Sequence, residues 1–529
     1  MVATRLSPGG NMRHILALDA GTGSGRAVLF DENGRQLAAA SREWTHKEEP
    51  GFPGSMTFER DRNWEMIASA IREVLAQVPG ANVAAVSTTS MREGIVLYDE
   101  KGQELWACAN VDARAVQEVR DLRSRDSELE RWAYLRSGQT FALGAAPRLL
   151  WLKRHQPEIY ERAAKMAMLS DWIAVRLGAE IAVDPSNGGT TGLFSLQTRT
   201  WDPEITNRLE IKPELISAPV YESGTPIGEV SAAAAAETGL VAGTPIVMGG
   251  GDAQLGAVGV GATRVGDVAV FGGSFWQQEV NLGEPLADET GRIRMNFASV
   301  PGTWQAEAIV FFPGIAARWY RDAFAPDLKE RAAAEGRDAY ELLESLAETV
   351  PPGSYGITPI LSNAMDYTHW RHAAPSFLNF PLDPEKAHRG AFFRALQENA
   401  AIVTLANLRR IADLTGSFPD SVIFASGAAK GRLWPQILAD VLQVPVRIPM
   451  VKEATSLGAA IAAGVGVGIY NDMPSAADKL VRWDRVVEPN PENRAAYQEA
   501  YERWLQAYPP QLELADSGIT SHMWIAPGE

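Results

Sequence analysis

The chain begins with two short apolar runs that are separated by small and polar residues. Residues 15–18 and 27–30 are apolar, the stretch between them contains Asp19 and three glycines, and a further turn signal follows at residues 31–34. This pattern predicts a β-hairpin. It differs from the strand–turn–helix unit of dinucleotide-binding folds, and the spacing of Gly21, Gly23 and Arg26 also departs from G-x-G-x-x-G.

Strand and helix patterns then alternate along the first half of the chain. "RDRNWEMIASAIREVLAQV" predicts a long helix, "VAAVSTTS" a buried strand, and "IVLYDEKGQELWA" a second hairpin. Residues 115–180 are predicted to be mainly helical. "LVAGTPIVMGGGDAQLGAVGVG" predicts a strand that runs into three glycines and an aspartate, which marks the end of the first half.

The second half repeats the opening pattern. Residues 266–283 are again an apolar strand, a glycine–serine turn and a strand, which suggests a duplicated lobe. An apolar stripe predicts a helix over residues 391–413, and "SVIFASGAAKGRLWPQILADVLQVPV" predicts a strand, a Gly-rich turn and a helix. The Ala-rich residues 231–239 predict a capped helix from Ser231 to Gly239.

Composition limits the class of protein. With 529 residues and 46% hydrophobic content, the chain is expected to form two or more domains. A formal charge of −16 with no basic run makes nucleic acid an unfavourable partner. Cys108 is the only cysteine, and no run reaches the ~20 apolar residues of a membrane span. A cytoplasmic protein with no membrane partner is therefore expected. No metal is expected at His369 and His372.

The first turn has the composition of a phosphate-binding loop. Its glycines allow backbone N–H groups to approach a ligand closely, and the hydroxyls of Thr22 and Ser24 can bond phosphate oxygens. Asp19, at the end of the first strand, can hold Mg²⁺ through water. An ordinary Gly-rich hairpin would show the same residues, so this stretch alone leaves both interpretations open.

Four Gly-rich motifs occur in a fixed order along the chain. They are D-x-G-T-x-S-x-R at 19–26, G-G-G-D-x-Q at 249–254, G-G-S at 272–274 and S-G-A-A-K-G-R-x-W at 426–434. Taken together, they predict a nucleotide held in a cleft between two related lobes. In this order the chain resembles the FGGY carbohydrate kinases, the sugar and polyol kinases of the actin-like ATPase superfamily.

The resemblance implies an α/β fold of two ribonuclease-H-like lobes, each with a mixed five-stranded sheet and flanking helices. The lobes are expected at residues 13–260, for substrate and catalytic base, and 261–529, for the nucleotide. The expected cofactors are ATP and Mg²⁺, with Mg²⁺ held at Asp19 through water.

The resemblance also assigns site residues one by one. Asp252 falls on the catalytic base, a role that suits phosphoryl transfer because the attacking hydroxyl must lose a proton. The other expected residues contact substrate (Arg92, Glu93, Gln254 and Trp276) or nucleotide (Asp19, Gly21, Thr22, Gly23, Ser24, Gly272, Gly273, Ser274, Gly427 and Ala428).

Several of these residues have a plainer interpretation. Asp252 can be a turn residue, Arg92 and Glu93 a surface ion pair, and Trp276 a core side chain. Lys430 and Arg432 are equally well explained as solvated charges. Cys108 is most simply a small buried side chain.

Six further stretches, which are "SMREGIVLYD", "WACANVDARA", "AVDPSNGGTTGL", "HAAPSF", "VKEATSLGAAIAAGVGVGIY" and "SHMWIAPG", are similar to family members that act on autoinducer-2, a small bacterial signal. This resemblance implies autoinducer-2 as the substrate and a carrier protein of the sugar phosphotransferase system as a regulator. A ketopentose or polyol kinase would use the same catalytic residues. A non-catalytic ATP-binding sensor would have no use for Asp252, Arg92 or Glu93.

Overall fold

The computed structural model describes residues 12–528. The strands of the first half are β1 (His14–Ala20), β2 (Ser24–Asp31), β3 (Gln36–Glu43), β4 (Lys47–Glu49), β5 (Phe52–Thr57), β6 (Val83–Ser90), β7 (Ile95–Tyr98), β8 (Glu104–Cys108), β9 (Lys165–Met168), β10 (Phe194–Ser195), β11 (Thr200–Trp201), β12 (Pro226–Glu229) and β13 (Pro245–Gly251). The helices are α1 (Arg60–Gln77), α2 (Val116–Arg125), α3 (Leu129–Ser137), α4 (Ala145–His155), α5 (Pro157–Arg162), α6 (Leu169–Leu177), α7 (Pro185–Gly188), α8 (Pro203–Arg208), α9 (Ala232–Thr238) and α10 (Asp252–Gly259).

The second half continues in the same manner. Its strands are β14 (Val268–Gly272), β15 (Trp276–Leu282), β16 (Arg294–Phe297), β17 (Trp304–Val310), β18 (Thr358–Ile360), β19 (Arg371–His372), β20 (Ser376–Leu378), β21 (Val422–Ala425), β22 (Val446–Pro449), β23 (Trp483–Val487) and β24 (Trp524–Ile525). Its helices are α11 (Pro313–Phe324), α12 (Pro326–Glu335), α13 (Ala339–Ala347), α14 (Arg389–Thr415), α15 (Leu433–Leu442), α16 (Ala454–Gly466), α17 (Met473–Leu480) and α18 (Arg494–Asp516).

The two large sheets share one topology. In the first sheet the strand order is β12-β13-β6-β1-β2-β3, and in the second it is β16-β17-β15-β14-β21-β22-β23. Each contains an antiparallel hairpin, β1–β2 or β14–β15, whose first strand also pairs in parallel with a later strand, β6 or β21. This confirms the duplicated lobe that the repeated hairpin pattern predicts.

The number of strands differs from the expected five in each lobe. Five strands form the shared core, and antiparallel edge strands extend it to six in the first sheet and seven in the second. The added edges, β12, β16 and β23, are short. Short segments of this kind carry a weak periodic signal, so the sequence pattern does not separate them from loops.

Most individual elements match their predictions. The Ser231 side chain caps α9 by accepting from the Ala234 N–H, and Gly239 ends the helix in the left-handed conformation. The helix predicted over 391–413 extends at both ends, to Arg389–Thr415. The mainly helical stretch 115–180 also contains a strand, β9, which pairs with β7 in an additional five-stranded sheet.

Two helices from different halves pack against each other between the sheets. At Gly259 of α10, an added Cβ would lie 1.8 Å from the Ala454 carbonyl oxygen, and at Gly458 of α16 it would lie 1.9 Å from that of Leu255. Only glycine permits this approach. Helix α16 also packs on the first sheet, so the proposed boundary at residue 260 separates the sheets while their helices interlock.

Within residues 12–528, no helix is long and apolar enough to span a membrane.

Candidate functional site

A cleft of about 890 Å³ lies between the two large sheets. It lies at the edge where β6 and β13 end, which is where open α/β sheets usually bind ligands. Its lining includes polar residues from both halves (Arg92, Glu93, Asn110, Asp112, Asp252, Ser274, Gln277, Arg294, Ser426 and Thr455) and a set of apolar side chains (Phe271, Phe275, Ile309, Phe311, Trp370, Trp524 and Ile525).

Asp252 is the first residue of α10 and faces into this cleft. Its Oδ1 accepts a hydrogen bond from the Ala253 N–H at 2.8 Å and lies 3.9 Å from Nε of Arg92. Although 40% of the side chain is exposed to the open cleft, the surrounding protein raises the pKa of Asp252 to about 6, by desolvation that the nearby Arg92 only partly offsets. The carboxylate is thus a stronger base than an ordinary aspartate.

Asp19, at the end of β1, is the neighbouring carboxylate. Burial, followed by the negative charge of Asp252, raises the pKa of Asp19 to about 7. Its Oδ1 is buried and has no hydrogen-bond partner within residues 12–528. An unpartnered buried carboxylate oxygen fits a hydrated divalent cation, because such an ion supplies both the charge and the hydrogen-bond donors that the oxygen lacks.

The first Gly-rich loop joins β1 to β2 beside the cleft. Thr22 and Gly23 are exposed, and Gly21 donates its N–H to the Ser24 carbonyl at 3.0 Å. Asn110, which lines the cleft, donates to the Thr22 hydroxyl at 3.2 Å. The tip of the loop is therefore open to a ligand at the cleft edge, while its base is held by Trp44, which donates to the carbonyl of Gly21.

The second loop and the late Gly-rich turn adjoin one another. Gly273 and Ser274 line the cleft, whereas Gly272 lies beneath them, where an added Cβ would be 2.8 Å from Cβ of Ala428. Gly427 and Ala428 form a 3₁₀ turn, and they do not line the cleft themselves. Ser426, just before this turn, does line it and has a φ of 78°, in the left-handed region.

Arg92 and Glu93 form the floor of the site and join its two halves. The Arg92 guanidinium donates to the buried carboxylate of Glu307, at 3.0 Å for the Nη2–Oε1 contact, and Arg294 Nη2 donates to Oε1 of Glu93 at 2.6 Å. Glu93 holds a φ of 60°, a conformation that costs an ordinary residue roughly 1 kcal/mol or more. The surface ion pair considered above is therefore not what the structure shows, because both side chains are buried.

Three polar side chains in this floor were not identified from the sequence. Glu279, Glu307 and Arg294 stand opposite one another in a row across β15, β17 and β16. Arg92 and Arg294 lower the pKa of Glu307 against the opposing effect of burial, whereas burial and Glu307 raise that of Glu279 well above its ordinary value. One sequence signal could have identified these residues. They are polar residues at alternate positions of strands that are otherwise apolar.

Gln254 and Trp276 lie outside the cleft lining. Gln254 is fully buried, and its side-chain amide has no hydrogen-bond partner among the described residues. Trp276 is also fully buried and packs on Phe424 and Trp434, with ring centroids 4.9 and 5.0 Å away. The core interpretation of Trp276 therefore describes its position. Phe275, in the turn just before β15, lines the cleft instead.

Lys430, at the end of the late turn, and Arg432, just beyond it, are both exposed, as expected for solvated charges. Cys108 is fully buried, and desolvation raises the pKa of its thiol to about 11, so it behaves as a small core side chain. The adjacent Asp112 pairs with Arg114 at 2.8 Å and holds the wall of the cleft through the Met56 N–H.

Comparisons with known proteins agree with this architecture. The FGGY family of carbohydrate kinases is matched by its N-terminal domain over residues 14–259 and by its C-terminal domain over residues 280–467. The autoinducer-2 kinase of Yersinia enterocolitica is 52% identical over 97% of this chain and 98% of its own length. That of Salmonella typhimurium is 51% identical over the same shares.

Solved structures have the same fold. A xylulose kinase from Rhodospirillum rubrum has a TM-score of 0.84 and 26% identity, with 96% of this chain and 99% of that chain covered. A Plasmodium falciparum glycerol kinase with ADP has a TM-score of 0.82 and 19% identity over 95% and 99% of the two chains. The second likeness, at this low identity, concerns the fold alone.

Proposed function

Because this chain belongs to the FGGY family of carbohydrate kinases, we propose that it transfers the γ-phosphoryl group of ATP to autoinducer-2. The acceptor is the C5 hydroxyl of the linear form, (S)-4,5-dihydroxypentane-2,3-dione. The observation that carries this proposal is the likeness to curated autoinducer-2 kinases over nearly the whole length of both chains. The phosphorylated product is charged and cannot cross a membrane readily, so the proposed place of action is the cytoplasm, where ATP is available.

Asp252 is the proposed catalytic base. The C5 oxygen attacks the γ-phosphorus, its O–H bond breaks, and the proton passes to the Asp252 carboxylate as the bond to the β-phosphate oxygen breaks and ADP leaves. With a pKa of about 6, Asp252 is ionised at neutral pH and is still basic enough to take up the proton. The position of this carboxylate at the start of α10, open to the cleft, supports the assignment.

The nucleotide is proposed to lie along the two Gly-rich loops. The exposed tip at Thr22 and Gly23 and the cleft-lining Ser274 present backbone N–H groups and hydroxyls to phosphate oxygens. Gly273 contributes the close approach of its backbone, because its own N–H donates to the carbonyls of Phe271 and Phe275. The adenine end reaches the turn at Gly427 and Ala428. Mg²⁺, when bound, neutralises charge between the β- and γ-phosphates, and Asp19 Oδ1 is the protein oxygen that would hold its water.

The substrate is proposed to lie between Asp252 and the buried ion pairs. Two of the five N–H groups of Arg92 donate to Glu307. The remaining three, which include that of Nε at 3.9 Å from Asp252 Oδ1, are left for a substrate oxygen. Glu93 keeps Oε2 available as an acceptor for a hydroxyl, because Arg294 occupies Oε1. The ion pairs thus hold a small set of polar groups in position. Buried polar groups of this kind discriminate strongly between hydroxylated substrates.

A substrate panel tests the proposal. We expect kcat/KM for the dione to exceed the values for xylulose, ribulose and glycerol, measured with the same ATP and Mg²⁺ concentrations. Pentuloses should remain poor substrates, since an apolar surface rejects an added hydroxyl by only about 10²-fold. A pentulose or glycerol used as efficiently as the dione would refute the autoinducer-2 assignment and leave a kinase of another substrate.

The regulator expected from the family resemblance, a carrier protein of the sugar phosphotransferase system, stays a prediction. Titrating the kinase with a purified carrier protein, in its phosphorylated and unphosphorylated forms, measures its effect on kcat directly.

A further inference from the structure

Residues 521–528, the last that the structure describes, cross the mouth of the cleft. Residues 521–528, here called the C-terminal strap, follow α18 and form β24, which pairs antiparallel with β19 in the second half. Ala526 donates its N–H to the Trp370 carbonyl at 2.9 Å. Beyond that point the strap reaches the first half, where an added Cβ on Gly528 would lie 2.5 Å from Cγ1 of Val119 in α2. It thus contacts both halves of the molecule.

Interactions of one carboxylate, that of Asp516, hold the start of the strap in place. Asp516, at the end of α18, pairs with Arg371 of β19 at 2.8 Å and with His522 at 2.9 Å. Hydrogen bonds from Arg371, ahead of the opposing effect of desolvation, lower the pKa of Asp516 to about 2. The strap therefore leaves α18 in a defined direction and is not a loose tail.

The strap supplies an aromatic surface to the cleft. Trp524 is half-buried, and its ring lies 4.7 Å from that of Phe311 and 5.1 Å from that of Trp370, centroid to centroid. All three rings line the cleft together with Ile525, which is 42% exposed. This surface belongs to the same cavity as Asp252 and the Arg92–Glu93 floor.

Three of the six stretches quoted above for the autoinducer-2 resemblance meet here, although they are far apart along the chain. "WACANVDARA" supplies Asn110 and Asp112 to the cleft, "HAAPSF" begins in β19, and "SHMWIAPG" is the strap itself. One of the three also contacts the parts assigned to phosphoryl transfer, because Asn110 donates to the Thr22 hydroxyl of the first Gly-rich loop. A role in recognition of the substrate explains why they converge.

We propose that the C-terminal strap determines substrate specificity, with Trp524 and Ile525 covering the end of the substrate that is remote from the attacked hydroxyl. This inference rests on the proposed function. The dione ends in a methyl group, which gains from contact with an apolar wall, whereas a pentulose has a hydroxyl there that would lose its hydration. Trp524 thus takes the substrate-contacting role that the family resemblance implies for Trp276.

Kinetics of Trp524→Ala test the strap. We expect kcat/KM for the dione to fall about tenfold, chiefly through KM, because the lost contact is made in the bound substrate as well as in the transition state. Activity toward xylulose and the KM for ATP should change less than about threefold. The ratio of dione to xylulose kcat/KM should therefore fall. Trp524→Phe should restore most of the preference. Ile519→Ala is the matched control, since Ile519 is 72% exposed and outside the cleft.

Ile525→Ala provides a second variant with little risk to folding, and it should shift selectivity in the same direction by a smaller factor. An unchanged ratio of dione to xylulose kcat/KM in both cleft variants, or an equal loss in Ile519→Ala, would overturn the role of the strap. Wild-type protein that prefers a pentulose would instead refute the proposed function, and the wild-type panel alone reveals that failure.

Discussion

Replacing Asp252 by asparagine is expected to lower kcat by about 10²-fold or more, because the amide cannot accept the proton of the attacking hydroxyl. Binding of ATP should change little, since the proposed phosphate contacts belong to the Gly-rich loops. The wild-type kcat/KM should rise with pH through about 6, as Asp252 loses its proton, and the variant should lack this contribution. An acid limb that persists in the variant belongs to Asp19, whose pKa is about 7. Turnover and ATP affinity are measured side by side. A variant with more than about a tenth of wild-type kcat would remove Asp252 from the base role.

Thermal melting provides the control for this variant. The pKa of Asp252 is raised from 3.8 to about 6, so the folded state disfavours its ionised form. The asparagine side chain avoids this cost because it is neutral. The variant should therefore gain stability relative to the wild type as pH rises from about 4 to about 6, and keep that gain at higher pH. Lost turnover in a protein that melts at or above the wild-type temperature cannot be ascribed to unfolding.

Replacing Arg92 by alanine is expected to damage both stability and activity. The change leaves the buried carboxylate of Glu307 without its main partner, and breaking a buried pair in this way costs about 3–5 kcal/mol. It also removes the guanidinium that lies between Glu307 and Asp252 and positions them. We therefore expect kcat/KM to fall at least about 100-fold. The free energy of unfolding from urea titration and the kinetics of the folded fraction are measured together.

Arg394→Ala is a matched control, because Arg394 and Glu398 form another buried pair, within α14 and away from the cleft. It should cost stability comparably while leaving the KM for substrate near the wild-type value. The double variant Arg92→Met with Glu307→Gln should recover stability relative to Arg92→Ala, since no lone charge stays buried, without recovering activity. An Arg92→Ala enzyme with kinetics like those of Arg394→Ala would reduce Arg92 to a purely structural residue.

Local signals account for what the sequence predicted. The Gly-rich hairpins, the cap at Ser231 and the place of Asp252 after a strand each depend on a few adjacent residues, and the structure contains them all. The topology of the lobes followed from the order of these motifs and from the family resemblance.

Long-range contacts account for what it missed. Arg92 and Glu307 are 215 positions apart, so no local pattern indicates that they pair. Phe275 lines the cleft and Trp276 does not, because Trp276 packs on Phe424 and Trp434, which are distant in the sequence. Likewise, nothing in "SHMWIAPG" indicates that it returns to α2, because the backbone pairing of β24 with β19 determines its path.

The most direct test of the central claim is to identify the product formed from ATP and the dione. ³¹P and ¹³C NMR of the reaction mixture should show one phosphomonoester, bonded to C5, accumulating in step with ADP. It should form with wild-type protein and be nearly absent with Asp252→Asn. ATP that is not consumed, a phosphoryl group on another oxygen, or an equal rate with the variant would contradict the account.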